Sequence, residues 1–526
     1  MKKVFALILV LALALCGAAV AEVEPGLLRT AVSYNISTMD VALTTDDYLI
    51  PMNVFDRLFE TRPGEGGSSD VVKSLVTDYS VSEDGLTYSF TLQEGVVFSN
   101  GSALTASDVQ FSFERLLKMA KQNTEIPEEV LGGSKVLNGE ADTLEGFKVA
   151  DDTHFTVTLE APNAGFIAEL SAPAMSIVDA ETMANCPKFG ELPEETIGSG
   201  PYIVTEWDQE HYTLVYNEKY RGPEPSVKKL IVTVETDENT RSLLFQKKEL
   251  DMLDLANLDS IIVDVTYRNN PEYRIVSTPK VGMTYLLMNG NNEYLKDVRV
   301  RKAIGMAIDV DKIITAFLGG NAIRENGVIP TGIWGHNDKL EGFTYDPEGA
   351  KKLLAEAGYK ENEIHFEIAF NTSENSTVRN VCDAVSDMLQ KVGIRAEVKN
   401  YEKASWLALR GSGKMDSFVA RWGMDYNDPA NIMYTFFGSA ANTKGRSLNY
   451  ADEAIIDRVA KARAIVNDAE REAEYQALEK KLIQEDAAWI PMYAELHLYC
   501  LNDRVASFTP HWAGFTDFYI ADVVLK

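Results

Sequence analysis

IHFEIAFNTSENSTVRNVCDAVSDMLQKVGIRAEV (364–398) sets the fold class. Ile364, Phe366, Ile368 and Phe370 alternate with smaller or polar residues, the two-residue period of a strand. Val378, Val381, Val385, Met388 and Val392 then recur at helical spacing, and Ile394, Ala396 and Val398 alternate again. A strand, a long helical crossover and a second strand predict a parallel βαβ unit. Just upstream, Asp346 caps a helix, Pro347 fits its first turn and Gly358 suits its end. Ala350, Leu353, Leu354 and Ala357 form its apolar stripe.

Outward from this unit the pattern is mixed. Tyr79 to Leu92 reads as a hairpin turned at Asp84-Gly85, and Thr105 with Asp108 makes a capping box before Val109, Phe113, Leu116 and Leu117. A long charged helical stretch is expected from about Asp452 to Glu485, then an apolar strand near Ile490 to Tyr499. The class is α/β, with antiparallel content concentrated in the first third. Pro-rich linkers are missing, so the lobes of this long chain are expected to be interwoven through strands.

The chain has 526 residues and a formal charge of −29, which repels polyphosphate and excludes nucleic acid as an expected partner. Lys2 and Lys3, the apolar run Val4–Leu15 and Ala19-Val20-Ala21 make a secretory signal, too short for a span of roughly 20 apolar residues. Cleavage is expected after Ala21, with a lipid anchor at Cys16 as the alternative, placing the protein in the periplasm or on the outer face of the cytoplasmic membrane. Cys186, Cys382 and Cys500 do not form a disulfide framework, and Cys382 lies on an apolar helix face that suits a buried thiol.

Catalytic patterns are missing. There is no G-x-S-x-G; Gly198-Ser199-Gly200-Pro201 reads as a turn, and Gly411-Ser412-Gly413-Lys414 lacks the first glycine of a phosphate loop. The six histidines, 154, 211, 336, 365, 497 and 511, show no ligand spacing. No metal or other cofactor is expected, and a secreted hydrolase is the disfavoured reading. The aromatic loops carry more information: Trp334 in VIPTGIWGH (328–336), and Trp422 with Tyr426 in RWGMDYNDP (421–429). Large rings in loops suit ligand walls. Asp428 and Pro429 start the next helix, whereas Asp425 is too early for that task. It is either a solvated loop carboxylate or one that receives a ligand's ammonium.

Five blocks carry a resemblance: VSEDGLTYSFTLQEGVVFSNGSALTASDVQFSFERL (81–116), GSGPYIVTEW (198–207) with YNEKYRG (216–222), DVRVRKAIGMAIDVDKII (297–314), YDPEGAKKLLAEAGY (345–359) and RWGMDYNDP (421–429). In this order they resemble the family-5, peptide/nickel-type solute-binding proteins of ABC importers. The resemblance implies an α/β, type II periplasmic-binding-protein fold of two lobes joined by a hinge, with a subdomain inserted in the first. Carried over, lobe I is 22–48, 175–276 and 492–526, the inserted subdomain 49–174, and lobe II 277–491, with crossovers near Arg274 and Pro491. It further implies peptide held between the lobes of a monomer and handed to a permease with ATPase subunits; oligosaccharides, nickel chelates, haem and other amines are alternative cargo. Asp425 of Trp422-Gly423-Met424-Asp425-Tyr426 is implied to pair with the peptide ammonium. Asn35, Thr38, Thr45 and Trp334 are expected at the wall by position, and Arg421, immediately before Trp422, is either a carboxylate partner or a surface arginine.

Overall fold

The computed structural model describes residues 24–44, 48–64, 69–119, 123–186, 188–256, 258, 260–372, 376–511 and 518–526. The signal segment with Cys16, and Thr45, therefore lie outside the described residues.

The predicted βαβ unit forms as the sequence period requires. Strands His365–Asn371 and Arg395–Tyr401 pair in parallel, joined by the helix Ser376–Gln390. Ile364, Phe366, Ile368 and Phe370 share one buried cluster with Val378, Val381, Val385 and Ile394. Each such apolar side chain contributes about 1.5–3 kcal/mol when fully buried. The unit joins a sheet of eight strands, in which Gly282–Met288 runs between Ser417–Gly423 and Trp489–Leu501. All seven residues of Gly282–Met288 are buried, because the strand is covered on both faces: Met283, Tyr285 and Leu287 join one core, Leu286 and Met288 the other.

Trp489–Leu501 is the strand that two parts of the molecule share. Its first half pairs with Gly282–Met288 and Ala322–Arg324, its second with Met252–Asp254 and Arg274–Pro279. The chain changes partners between Pro279 and Gly282 on one side and around Glu495 on the other, where Lys280 N donates to Glu495 O. A second sheet orders Leu27–Val32, Lys229–Val234, His211–Tyr216 and Tyr202–Trp207.

A third sheet, antiparallel throughout, contains the predicted hairpin as Val76–Val81 and Thr87–Leu92, with Gly85 at φ +71° in its turn. One arm of the capping box forms: Thr105 N donates to Asp108 Oδ2 at 2.8 Å, while Thr105 Oγ1 donates to the same oxygen at 2.9 Å instead of accepting from Asp108 N, before the helix Ala106–Met119. Asp346 accepts from Gly349 N at 2.8 Å at the start of Pro347–Glu356.

The charged stretch expected as one helix is instead two, Glu453–Ala462 and Asp468–Lys480, the second running on into a wider turn, Lys481–Glu485. Asn467 starts the second helix by accepting from Glu470 N at 3.0 Å. Cys382 and Cys500 are buried and Cys186 half-buried. Among the described residues no helix is long and apolar enough to cross a membrane.

Candidate ligand-binding site

The strand Ser417–Gly423 ends where the site begins. Phe418, Val419 and Ala420 are buried in the two cores, Arg421 is exposed, and Met424 is buried again with its N–H on Val281 O at 3.1 Å. These anchors fix the short loop between them and the helix Ala430–Phe437.

Asn431, in the first turn of that helix, ties the loop's two expected ligand groups together. Its Nδ2 donates to Asp425 Oδ2 at 3.2 Å, and its Oδ1 accepts from Trp422 Nε1 at 2.9 Å. A carboxylate offers about four acceptor positions, and among the described residues Asp425 uses one. The residue is half-buried. Burial pushes its carboxyl up to about 6; Glu125 adds in the same direction, while the Asn431 hydrogen bond and Arg446 oppose it.

Glu125 starts the short helix Glu125–Glu128, far from Asp425 in sequence and packed with the antiparallel domain. Its charge acts on both Asp425 and Arg446 through space. Arg446 lies over two rings of the loop and its helix, its guanidinium carbon 4.9 Å from the centre of the Trp422 ring and 5.3 Å from that of Phe436.

The other predicted residues divide. Tyr426 packs on the core of the antiparallel domain, and burial raises its hydroxyl well above the usual range. Asn427 fastens the same seam: it donates to Ser69 O at 2.6 Å and accepts from Trp334 N at 2.9 Å. Trp334 is half-buried beside this seam, with the Arg471 guanidinium 5.1 Å from its ring centre. Arg421 pairs with Glu495 at 3.4 Å, on the shared strand.

Asn35 and Thr38 bond within their own region. Asn35 donates to Asp208 O and accepts from Trp207 Nε1; Thr38 donates to Gly190 O and accepts from Asp40 N. These bonds hold both side chains against Asp208, Trp207, Gly190 and Asp40. Asn431, Arg446 and Glu125 were not legible as site residues. The nearest signal was Asn431's place in the first turn of a helix whose start Asp428 and Pro429 announce.

A cavity of about 630 Å³ lies elsewhere, lined by Thr236, Arg241, Ala256, Phe317, Asn321 and Glu495. Neither Asp425 nor Trp422 lines it; of its charged groups, Arg241 donates to Glu235 O and Glu495 is held by Lys280 and Arg421, while Glu238 also lines it. The carboxylate with one hydrogen bond among the described residues, the half-buried ring and the nearby cation favour the Asp425 loop, and recognition follows such groups rather than volume. Among the described residues no group of three or more His, Cys, Asp or Glu side chains forms a metal site.

The dipeptide-binding protein of Escherichia coli (strain K12) is 29% identical over 432 residues, 78% of each chain. Heme-binding protein A of Haemophilus influenzae is 25% identical over 510 residues, covering 94% of this chain and 89% of that protein. Among solved structures, the ABC transporter-associated periplasmic binding protein DppA from Helicobacter pylori, in complex with peptide STSA, aligns with a TM-score of 0.75 at 26% identity. The alignment covers 95% of this chain and 98% of that one. The α/β architecture is thus the two-lobed, type II fold that the motif blocks implied. The model of bacterial extracellular solute-binding proteins, family 5 Middle, matches residues 70–444, and the chain belongs to that family.

Proposed function

We propose that this protein is the extracytoplasmic binding component of an ABC importer, capturing short peptides between its lobes and delivering them to a permease with ATPase subunits. The observation that carries this reading is Asp425: a half-buried carboxylate beside Trp422, with one hydrogen bond among the described residues and acceptor capacity beyond it. A peptide ammonium fills that capacity with charge-assisted bonds, and a ligand without an amine leaves the carboxylate under-bonded. The names of the E. coli relative and the peptide-bound H. pylori structure support the same cargo class. The lobe limits at 277 and 491 remain our assignment, with the shared strand Trp489–Leu501 as the hinge element. Export by the N-terminal signal belongs to the same reading, and intact mass of the mature protein tests cleavage at Ala21 against a lipidated Cys16.

Calorimetry on wild type and Asp425→Asn tests the cargo. The variant keeps the shape and loses the charge, and peptide affinity is expected to fall by at least about 2 kcal/mol. Equal affinity for both proteins removes Asp425 from the site. A single co-purifying sugar, chelate or haem in native mass spectrometry overturns the peptide reading.

A further inference from the structure

The inserted subdomain closes on lobe II at the end of the helix Glu453–Ala462. Arg463 follows that helix directly, and its guanidinium reaches both Glu129 and Glu169 of the subdomain, the second at 3.2 Å. Its carbonyl accepts from Ala164 N at 2.8 Å. A carbonyl at a helix end lacks a partner within the helix, so the subdomain supplies the bond from outside. Little water reaches the contact: the side chains of Arg463, Glu129 and Glu169 are 14, 26 and 2% exposed. Asn163 assembles the acid pair within the subdomain, its Nδ2 donating to Glu129 at 2.8 Å and to Glu169 at 2.9 Å. Two carboxylates held together out of water repel each other, and burial with the charge of Glu129 raises the Glu169 carboxyl, against Arg463 and the Asn163 hydrogen bond. Arg463 is the cation that pairs with them among the described residues. Asp428 of lobe II also acts on Glu169, but it is held by Arg471.

The two sides of the subdomain are fastened differently. Towards lobe I, Gly200 N donates to Val54 O at 2.8 Å, Ser99 N to Gly198 O at 2.9 Å and Ile177 N to Asp56 O at 2.8 Å. Towards lobe II the backbone contributes the Ala164–Arg463 bond, and the seam otherwise runs through side chains such as Asn427, which donates to Ser69 O. A rotation about the strand Trp489–Leu501 therefore keeps the lobe I bonds and breaks the Arg463 seam.

We infer that Arg463 is a closure latch: by pairing with Glu129 and Glu169 it holds the inserted subdomain on lobe II, and so sets how long a captured ligand stays, from outside the Asp425 cluster. This rests on the reading that cargo is enclosed between the lobes, and it adds a residue that positions them. Without the arginine, two acids are pressed together in the closed form and solvated in the open one, so the penalty falls on closure. Apparent affinity falls with the closed fraction, and dissociation rather than association carries the change.

Three measurements on the intact mature protein test the latch. Ligand-free Arg463→Gln is expected to have a larger radius of gyration than wild type in small-angle X-ray scattering. Dialanine and trialanine are expected to leave Arg463→Gln at least about tenfold faster than wild type in stopped-flow displacement, with association rates within about twofold. Arg463→Lys, which keeps the charge, is expected to recover part of that loss. Arg463→Gln combined with Glu129→Gln and Glu169→Gln strands no acid and is expected to recover most of it. In wild type, hydrogen exchange at Ala164 N is expected to slow when peptide binds. Equal radii, or equal dissociation rates, in wild type and Arg463→Gln overturn the latch and leave the peptide reading standing. Exchange at Ala164 that is the same with and without peptide means a permanent seam and overturns the latch as well. No binding of either peptide to wild type overturns the peptide reading alone, and the scattering comparison then decides the latch. The exchange measurement needs no variant and covers the case in which Arg463→Gln fails to fold.

Discussion

Asp428 accepts from Arg471 through both oxygens at 2.7 Å and from Ala430 N at 2.8 Å, whereas Asp425, three residues earlier, accepts one bond of 3.2 Å from Asn431. Both belong to the loop that links the strand Ser417–Gly423 to the next helix. Asp428 is buried, and a Cβ on Gly165 would stand 2.9 Å from its Cγ, so the opposing domain presses directly on the ion pair. Asp425 stays reachable by solvent. One carboxylate is used up by the fold; the other keeps the capacity to bind something else. An acid is therefore assigned by its remaining hydrogen-bonding capacity, since residue type and neighbourhood are nearly the same for these two.

The largest effect that breaks the comparison falls on Asp428. Asp428→Asn leaves the Arg471 guanidinium buried with no counter-charge, as both side chains are only 4% exposed. Unfolding free energy is expected to drop by about 3–5 kcal/mol, read by urea denaturation. A loss below about 1 kcal/mol would mean that the pair is dispensable and the contrast with Asp425 is false.

Asp425→Asn is the mirror experiment. Peptide affinity falls as stated above, while stability at pH 7 stays level or rises slightly. The sign follows from the raised carboxyl: a folded-state value of about 6 against the ordinary 3.8 means that its stability contribution is complete below about 3.8 and lost as pH climbs to 6. Destabilisation matching that of Asp428→Asn would return Asp425 to a structural role.

The same titration sets the pH dependence of binding. The ligand ammonium requires the carboxylate, so affinity is expected to be flat above about pH 6 and to fall roughly tenfold per unit below it. Calorimetry at pH 7.5, 6 and 5 reads this directly. Affinity unchanged down to pH 5 in wild type, or an equal decline in Asp425→Asn, breaks the link between Asp425 and the ligand.

The contrast also marks what the sequence could disclose. The βαβ unit was legible because residues 364–398 carry both periods within one local stretch, and the Thr105 and Asp346 caps were legible because capping acts over three residues. The break before Asn467 was not, since Ala464, Ile465 and Val466 continue an apolar pattern that suits a helix. Trp422 and Asp425 stood out as an odd ring and an odd acid in one loop. Arg446 did not, because it reaches Trp422 only after an intervening pair of helices folds back over the ring. Asn35 and Thr38 were chosen by position, and position carries no information on where their donors go; the structure sends them to neighbouring turns.

Glu479 and Glu325 extend the comparison to acids that have neither a cation nor an opening. They hold the Trp334 loop from within: Ile329 N donates to Glu479 at 2.7 Å and Thr331 N to Glu325 at 3.0 Å, while the second oxygen of each is buried without a partner among the described residues. Burial pushes both carboxyls up to about 8, and for Glu479 the nearby Glu325 adds to it. With folded-state values above the ordinary 4.5, the stability they contribute is complete below about pH 4.5 and is lost as pH rises to 8. Glu479→Gln keeps the acceptor for Ile329 N and cannot ionise. It is expected to lie near wild type at pH 5 and to exceed it by several kcal/mol (on the order of 3) at pH 8, measured by urea denaturation at both values. A variant weaker than wild type at pH 8 would mean that the ionised carboxylate stabilises the loop. Recess without a cation would then not distinguish Asp425 from an ordinary structural acid, and its open hydrogen-bonding capacity would have to carry the assignment alone.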